Sequence, residues 1–344
     1  MNTSFKLSEL SASYRNNVQA ELKDVIDRCP LHLRSILRYH MGWQEEGNLP
    51  GQGKSGKLIR STLCLLSCQA IGGNPAQIFP AAATLELIHN FSLIHDDIQD
   101  ASYERHGQPT VWRLWGQSQA INAGDIMFAL GILALLRLKQ NGITDEEIMY
   151  SFRLLSETCL EICEGQYLDI AYENQFDITI DDYLDMIRRK TAVLMAASTS
   201  LGAYLAKAGE KTAYFYQFGE ELGMAYQICD DILGIWGTPE STGKPVNGDI
   251  QQRKKTLPVI YGFKNSNDQD KTKLEELYSQ KQIQEEDVST VAMILVHAGA
   301  RDYAQNLAKQ HYRQALKYLE ASNLDKACLT PLREMAYLLV ERNY

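Results

Sequence analysis

The run Pro80–Asp100, PAAATLELIHNFSLIHDDIQD, decides the fold. Leu85, Ile88, Phe91, Ser92 and His95 recur along it at helical spacing, and most of these positions are apolar. The run ends in His95-Asp96-Asp97-Ile98-Gln99-Asp100. Outward from it the same pattern repeats. Leu58–Ala70 reads as an apolar helix stopped by Gly72-Gly73-Asn74-Pro75. Ile121–Leu138 is a helix ended by Asn141-Gly142, and Asp145–Tyr172 is the next. Ile180–Lys207 follows, with Thr179 and Asp181 as cap candidates, and then Lys211–Leu233. Later helices are predicted at Lys255–Lys264, Thr272–Gln280, Val288–Ala298, Arg301–Ala321 and Pro331–Arg342. Strand-like alternation is nearly absent, and no repeat with a period of roughly 20–50 residues is present. The expected fold is one all-α domain spanning residues 1–344, with Gly237–Gln252 composed like an active-site lid.

Composition narrows the function. The 344 residues are 45% hydrophobic and 22% charged, which suits a globular chain with a large core. The net charge of −9 disfavours a partner bound through phosphate neutralisation, so nucleic acid is not expected. Met1–Arg15 lacks a secretory pattern, and Ile126–Leu136 is too short to cross a bilayer. Seven cysteines without a Cys-x-x-Cys pair read as buried thiols in a cytoplasmic protein without a transmembrane segment.

Asp96, Asp97 and Asp100 place three carboxylates within five residues at the end of an apolar helix. Asp96 and Asp100 are four apart and face one way. Like charges this close repel, and the C-terminal end of a helix disfavours anions. Taken alone, the cluster reads as readily as a solvated acidic helix end. The pattern recurs, however, where Ala225-Tyr226-Gln227-Ile228-Cys229 runs into Asp230-Asp231. Two apolar helices ending in aspartates suggest carboxylates around Mg²⁺, a hard cation that takes oxygen ligands. Basic residues collect at Lys57, Arg60, Arg105, Arg188-Arg189-Lys190, Lys244 and Arg253-Lys254-Lys255. Local cations plus a metal in an acidic chain describe a diphosphate site. There is no Walker loop and no dinucleotide fingerprint.

With these motifs the chain resembles the trans-prenyltransferases, the isoprenyl diphosphate synthases that include farnesyl and geranylgeranyl diphosphate synthases. The resembling stretches are Gly56–Arg60, Glu86–Asp100, Arg105–Thr110, Gly165–Asp169, Lys190-Thr191, Gln227–Asp231 and Thr242–Lys244, then Asp249 and Lys254–Pro258. The resemblance implies a bundle of long antiparallel helices around a central cavity, usually in a homodimer. It implies that Asp96 and Asp100, supported by Asp97, bind two Mg²⁺, and that Asp230, with Asp231 nearby, binds a third. It implies that Arg105, Lys190, Lys244 and Lys254 hold the allylic diphosphate. Lys57, Arg60 and His89 would hold isopentenyl diphosphate, and Thr191 and Gln227 would lie beside the breaking C–O bond. Tyr167 and Trp236 read as packing residues rather than cation stabilisers.

Two positions depart from the family's pattern. His106 stands where a second arginine is usual, and Gly234 stands where a third aspartate is usual. The first departure weakens the acceptor site and leaves open a terpene-synthase-like activity, which would cyclise or quench a prenyl diphosphate. A non-catalytic partner subunit is disfavoured by the intact first motif. Phe91, five residues before Asp96, and the small Ser92 beside it are the expected chain-length determinants. In the resembling family they go with a geranylgeranyl (C20) product ahead of a farnesyl (C15) one.

Overall fold

The computed structural model describes residues 3–44, 56–237 and 248–341. Their elements in order are α1 (Thr3–Ile26), α2 (Leu31–His40), α3 (Ile59–Ile71), α4 (Phe79–Gln99), β1 (Glu104–Arg105), β2 (Gln108–Pro109), α5 (Val111–Trp115), α6 (Gln117–Leu136), α7 (Asp145–Tyr172) and α8 (Ile180–Ile187). A π-helical turn at Arg188–Ala192 leads into α9 (Val193–Leu205) and α10 (Lys211–Trp236). Then come α11 (Gly248–Gln251), α12 (Leu257–Asn265), α13 (Asp268–Tyr278), α14 (Glu285–His297), α15 (Ala300–Ala321) and α16 (Lys326–Val340). The all-α expectation holds, and the two-residue strands form one small antiparallel hairpin.

The chain divides into two compact units. The first comprises residues 1–159, 194–216 and 319–335. Its centre is α4, which packs chiefly on α6 and also on α3 and α1. An apolar sequence on nearly all sides is what a fully enclosed helix requires. From Pro80 to Ile88 every residue of α4 is buried. Close approach is built in by glycine. A Cβ at Gly202 of α9 would stand 1.9 Å from the Cys64 carbonyl of α3. A Cβ at Gly124 of α6 would stand 2.2 Å from the His95 ring. Cys64 and Cys68 are buried in this packing, and no disulfide forms among the described residues.

The second unit comprises residues 160–193, 217–318 and 336–344. A reciprocal capping box starts α8, with Thr179 and Asp182 each satisfying the other's backbone. The later helices form a separate core. Ile235 from the end of α10 and Ile250 from α11 pack with Val259, Phe263, Leu274, Leu277, Val291 and Leu295 of α12–α14.

Four expectations change. The helices α1 and α2 were not legible, because α1 is polar over much of its length and α2 is short. The run Ile180–Lys207 is interrupted by the π turn. Pro331 lies inside α16 rather than opening it. Finally, the apolar helix at Gln117–Asn141, with its 3₁₀ extension, is long and apolar enough to cross a membrane. Its Ala120, Ala123, Gly124, Met127 and Gly131 are buried, and α4 is its main packing partner, so one face serves as core, while Ile121, Leu133 and Leu136 stay exposed on another.

Candidate active site

The C-terminal end of α4 closes as a Schellman motif. Ser102 N–H reaches the Asp97 carbonyl (2.9 Å), Ala101 N–H reaches Ile98 (3.2 Å), and Ala101 sits at φ 48°. The motif turns the chain sharply after Asp100, so Asp96 and Asp100 sit on the helix's last turn and the following hairpin folds back. That hairpin turns through His106 (φ 54°) and Gly107 (φ 74°), with Arg105 paired to Gln108. Positive φ at both central residues is the type I′ geometry. Histidine is among the few non-glycine residues enriched there.

The hairpin aims Arg105 back at α4. Its Nε lies 2.9 and 3.1 Å from the two Asp97 oxygens, and Nη2 lies 2.8 Å from Asp97 and 3.6 Å from Asp96. Asp97 is 2% exposed, and burial raises its carboxyl against the pull of Arg105. Its carboxylate is spent on fixing Arg105, whereas Asp96 keeps a fifth of its side chain exposed.

On the first unit a basic cluster forms beyond the hairpin. Lys57 is exposed just before α3, and Arg60 lies partly buried in its first turn. Glu86 anchors that turn, accepting from Ser61 N–H (2.9 Å) and the Ser61 hydroxyl (2.8 Å). His89 lies one turn further along α4. Burial, then the positive charge of Arg60 and Arg105, holds its imidazole well below the usual range. A residue that sequence reasoning missed joins it. His40, the last residue of α2, lies 3.0 Å from Asn90 and is pushed down to about 3 by burial and by Arg105. The signal was absent because α2 itself was not anticipated.

These neutral rings give the fold an acid sensitivity. An unfolded histidine titrates near 6.5, and His40 in the fold near 3. The unfolded state therefore binds more protons between those values, and stability falls as pH drops below about 6.5. His89 acts in the same direction. The expected result is a loss of roughly 1.4 kcal/mol per pH unit for each ring, read as a falling Tm from pH 7 to 5. His40→Gln should flatten that slope.

The second unit carries the other site residues. Gly165 of α7 lets the π turn come in close, since a Cβ there would stand 2.4 Å from Lys190 N. Gly223 of α10 does the same from its side, 2.5 Å from Ala192 Cα. Insertions of this kind in helices often mark functional positions. Here the turn sets Lys190 and Thr191. Lys190 Nζ donates to Asp169 (2.6 Å). Thr191 Oγ1 donates to Gln227 Oε1 (2.9 Å), and Gln227 Nε2 donates to Asp231 Oδ1 (3.0 Å). Asp231 Oδ2 accepts from the Tyr183 hydroxyl and from Leu257 N–H (3.1 Å).

Asp231 is 4% exposed, and burial raises its carboxyl to about 7. Both its oxygens serve protein donors, and its work is to hold Gln227. Asp230 beside it stays partly exposed. The glycine at 234 also finds its reason, because a Cβ there would stand 1.8 Å from Asp249 Oδ2. Asp249 fills the space where the third aspartate was expected.

Lys254 is exposed, while Lys255 is drawn in over the Phe176 ring (4.3 Å). Burial, then Arg253, lowers the Lys255 amine to about 8. Arg188 and Arg189 are held in ion pairs with Glu161 (2.9 Å) and Asp185 (2.8 Å). Tyr167 is 71% exposed and is not a packing residue, whereas Trp236 is partly buried. Lys244 and most of the expected lid lie outside the described residues.

Phe91 is 8% exposed and meets the Phe128 ring edge-on at 5.3 Å. Ser92 bonds back to the His89 carbonyl (2.8 Å). Behind the two rings lies an apolar cavity lined by Thr84, Ile88, Phe128, Ile132, Leu155 and Cys159, among others. Thr84 and Ile88 are further from Asp96 along α4 than Phe91 is.

Asp96 and Asp100, at the end of α4, and Asp230, within α10, each offer only oxygen donors and stay partly exposed, and oxygen is the ligand type Mg²⁺ takes. Among the described residues no three metal-ligating side chains are gathered into one preformed cluster.

The sequence pattern of the polyprenyl synthetase family matches residues 51–295. The chain is 35% identical over 325 residues to the (2E,6E)-farnesyl diphosphate synthase of Mycobacterium tuberculosis, covering 93% of this chain and 89% of that one. It is 37% identical over 319 residues to the geranylgeranyl diphosphate synthase of the same organism, covering 91% and 89%. The crystal structure of a polyprenyl synthetase from Streptomyces coelicolor superposes with a TM-score of 0.91 at 31% identity, covering 97% of this chain and 99% of that one. The chain belongs to the polyprenyl synthetase family of trans-prenyltransferases. It is a prenyltransferase of the type that condenses isopentenyl diphosphate with an allylic diphosphate in a Mg²⁺-dependent reaction.

Proposed function

We propose that the protein is a short-chain, all-trans prenyl diphosphate synthase whose main product is geranylgeranyl diphosphate. It works as a single-domain, cytoplasmic homodimer that binds no nucleic acid and takes up three Mg²⁺ with its diphosphate substrate. The observation that carries the condensing activity is the second basic cluster. The charge of Arg60, at the start of α3, is felt at the neutral His89 ring of α4, and we read these two side chains as the anion pocket for a second diphosphate. An enzyme that only ionises and cyclises one diphosphate needs no second anion pocket. Support for a dimer comes from apolar side chains left outward on α6 and the start of α7, namely Ile121, Leu133, Leu136, Met149 and Phe152.

Asp96, Asp100 and Asp230 would hold Mg²⁺, which neutralises the charge that develops on the departing diphosphate. The protein's own groups supply the rest. Arg105, fixed by Asp97, and Lys190, Lys244 and Lys254 orient the allylic diphosphate and stabilise it as it leaves. Thr191 and Gln227, locked by Asp231, present a hydroxyl and an amide oxygen beside the cationic carbon. Lys57, Arg60 and His89 hold isopentenyl diphosphate with its double bond toward that carbon. The apolar helix faces keep water from the cation. The released diphosphate accepts the proton lost after C–C bond formation.

Product length is tested by incubating the enzyme with dimethylallyl and isopentenyl diphosphates and separating the dephosphorylated alcohols. Geranylgeraniol should dominate, and farnesol accumulating without further growth would move the assignment to C15.

His106 gives a separate prediction. His106→Arg should lower KM for isopentenyl diphosphate and leave the allylic KM nearly unchanged. A charge-assisted contact is worth about 1.5–3 kcal/mol, less the cost of a longer side chain at positive φ. Steady-state kinetics varying each substrate in turn would check it. An unchanged acceptor KM would place residue 106 outside the acceptor pocket.

A further inference from the structure

The last turn of α2 is tied to two elements, the hairpin that bears Arg105 and His106 and the stretch of α4 that bears His89. The Tyr39 hydroxyl donates to the Pro109 carbonyl of β2 (2.8 Å), and the Tyr39 ring meets Trp115 edge-on at 5.0 Å. These contacts seat α2 against the hairpin that presents Arg105 and His106. The next residue, His40, reaches the other element. Its Nε2 lies 3.0 Å from Asn90 Oδ1, beside His89 on α4. Asn90 Nδ2 donates to the Glu86 carbonyl (2.7 Å), which settles which end of the amide faces the ring. His40 Nε2 must therefore carry a hydrogen and donate it.

We propose that Tyr39 and His40 are positioning residues for the acceptor diphosphate, clamping the His89 segment of α4 to the Arg105–His106 hairpin. The proposal rests on the reading of Arg60 and His89 as the isopentenyl diphosphate pocket. His40 acts as a fixed neutral donor. Arg105 and His106 stand close enough to disfavour a charge on its ring. Its contribution is thus the spacing between two anion-binding elements, not a further cation.

The experiment measures kcat and both KM values for His40→Ala, His40→Gln, Tyr39→Phe and Arg60→Ala, each checked for folding by circular dichroism. His40→Ala should raise KM for isopentenyl diphosphate about tenfold, with kcat and the allylic KM within threefold. His40→Gln keeps an N–H that can reach Asn90, and should recover to within about threefold of wild type. Tyr39→Phe should weaken the acceptor by roughly three- to tenfold. The clamp is refuted if His40→Ala changes neither KM, if it raises both equally, or if His40→Gln is no better than alanine. If the alanine variant does not fold, Tyr39→Phe decides alone, and an unchanged acceptor KM refutes the clamp. Arg60→Ala separates the two levels. A raised acceptor KM there, with His40→Ala unchanged, sinks the clamp alone, while an unchanged value sinks the pocket and the clamp together.

Discussion

Asp96→Ala and Asp230→Ala should each leave a folded protein that turns over at least about a hundredfold more slowly, even at saturating Mg²⁺. Asp96 lies in the last turn of α4, where the carbonyl dipoles disfavour anions, and Asp230 lies beside the buried Asp231 within α10. Neutralising either one should relieve repulsion in the metal-free protein, so Tm should hold or rise slightly. The matched controls are the neighbouring aspartates. Asp97→Ala frees Arg105, and Asp231→Ala leaves Tyr183, Gln227 and Leu257 N–H without their shared acceptor. Those two variants should lose stability as well as activity, because each leaves buried groups unpaired. Near wild-type turnover in either Asp96→Ala or Asp230→Ala would remove that residue from the metal set.

Phe91→Ala should lengthen the product by at least one five-carbon unit. Phe91 lies five residues before Asp96, about 7.5 Å down the helix from the metal end. The apolar cavity begins beyond it, lined by Ile88 and Thr84, about 12 and 18 Å from Asp96 on the same rise. The ring itself occupies the room a further five-carbon unit needs, and the side chains next along the helix, Ile88 and Thr84, are smaller and line an apolar recess. Phe128 also lines that cavity and touches the Phe91 ring, so Phe128→Ala should widen the same opening less strongly. The cost is the lost ring, about 3–5 kcal/mol at a position this buried. Chromatography of the dephosphorylated products reads the outcome. An unchanged distribution from a folded Phe91→Ala enzyme would place the floor elsewhere and remove the main support for a C20 product.

Much of this was legible because α4 is both the centre of one unit and the carrier of the chemistry. Its apolar period and its aspartates lie in one stretch, so one reading located fold and site together. The pairing of Thr191 with Gln227 also followed from motif order. What escaped were features that depend on space rather than spacing. Whether an aspartate meets a metal or a protein donor is decided by neighbours distant in sequence. Asp97 is claimed by an arginine on a hairpin, and Asp231 by a tyrosine 48 residues earlier. Gly234 stands where a third aspartate is usual, yet it makes room for Asp249, 15 positions on. The π turn at Arg188–Ala192 left no mark on the apolar period, because the residues around it are buried whichever way the helix is wound. The many polar residues of α1 and the shortness of α2 hid both helices, although each buries an apolar face, Tyr14, Val18, Leu22 and Val25 in α1 and Ile36 and Leu37 in α2, and His40 went with them.

The central claim is that this chain joins two diphosphates rather than rearranging one. Purified enzyme, Mg²⁺, farnesyl diphosphate and radiolabelled isopentenyl diphosphate, followed by phosphatase treatment and chromatography, test it most directly. Label should appear in geranylgeraniol, with turnover that depends on both diphosphates and stops in Asp96→Ala. Cyclic hydrocarbon or farnesol formed at the same rate without isopentenyl diphosphate, and no label in any longer alcohol, would contradict it.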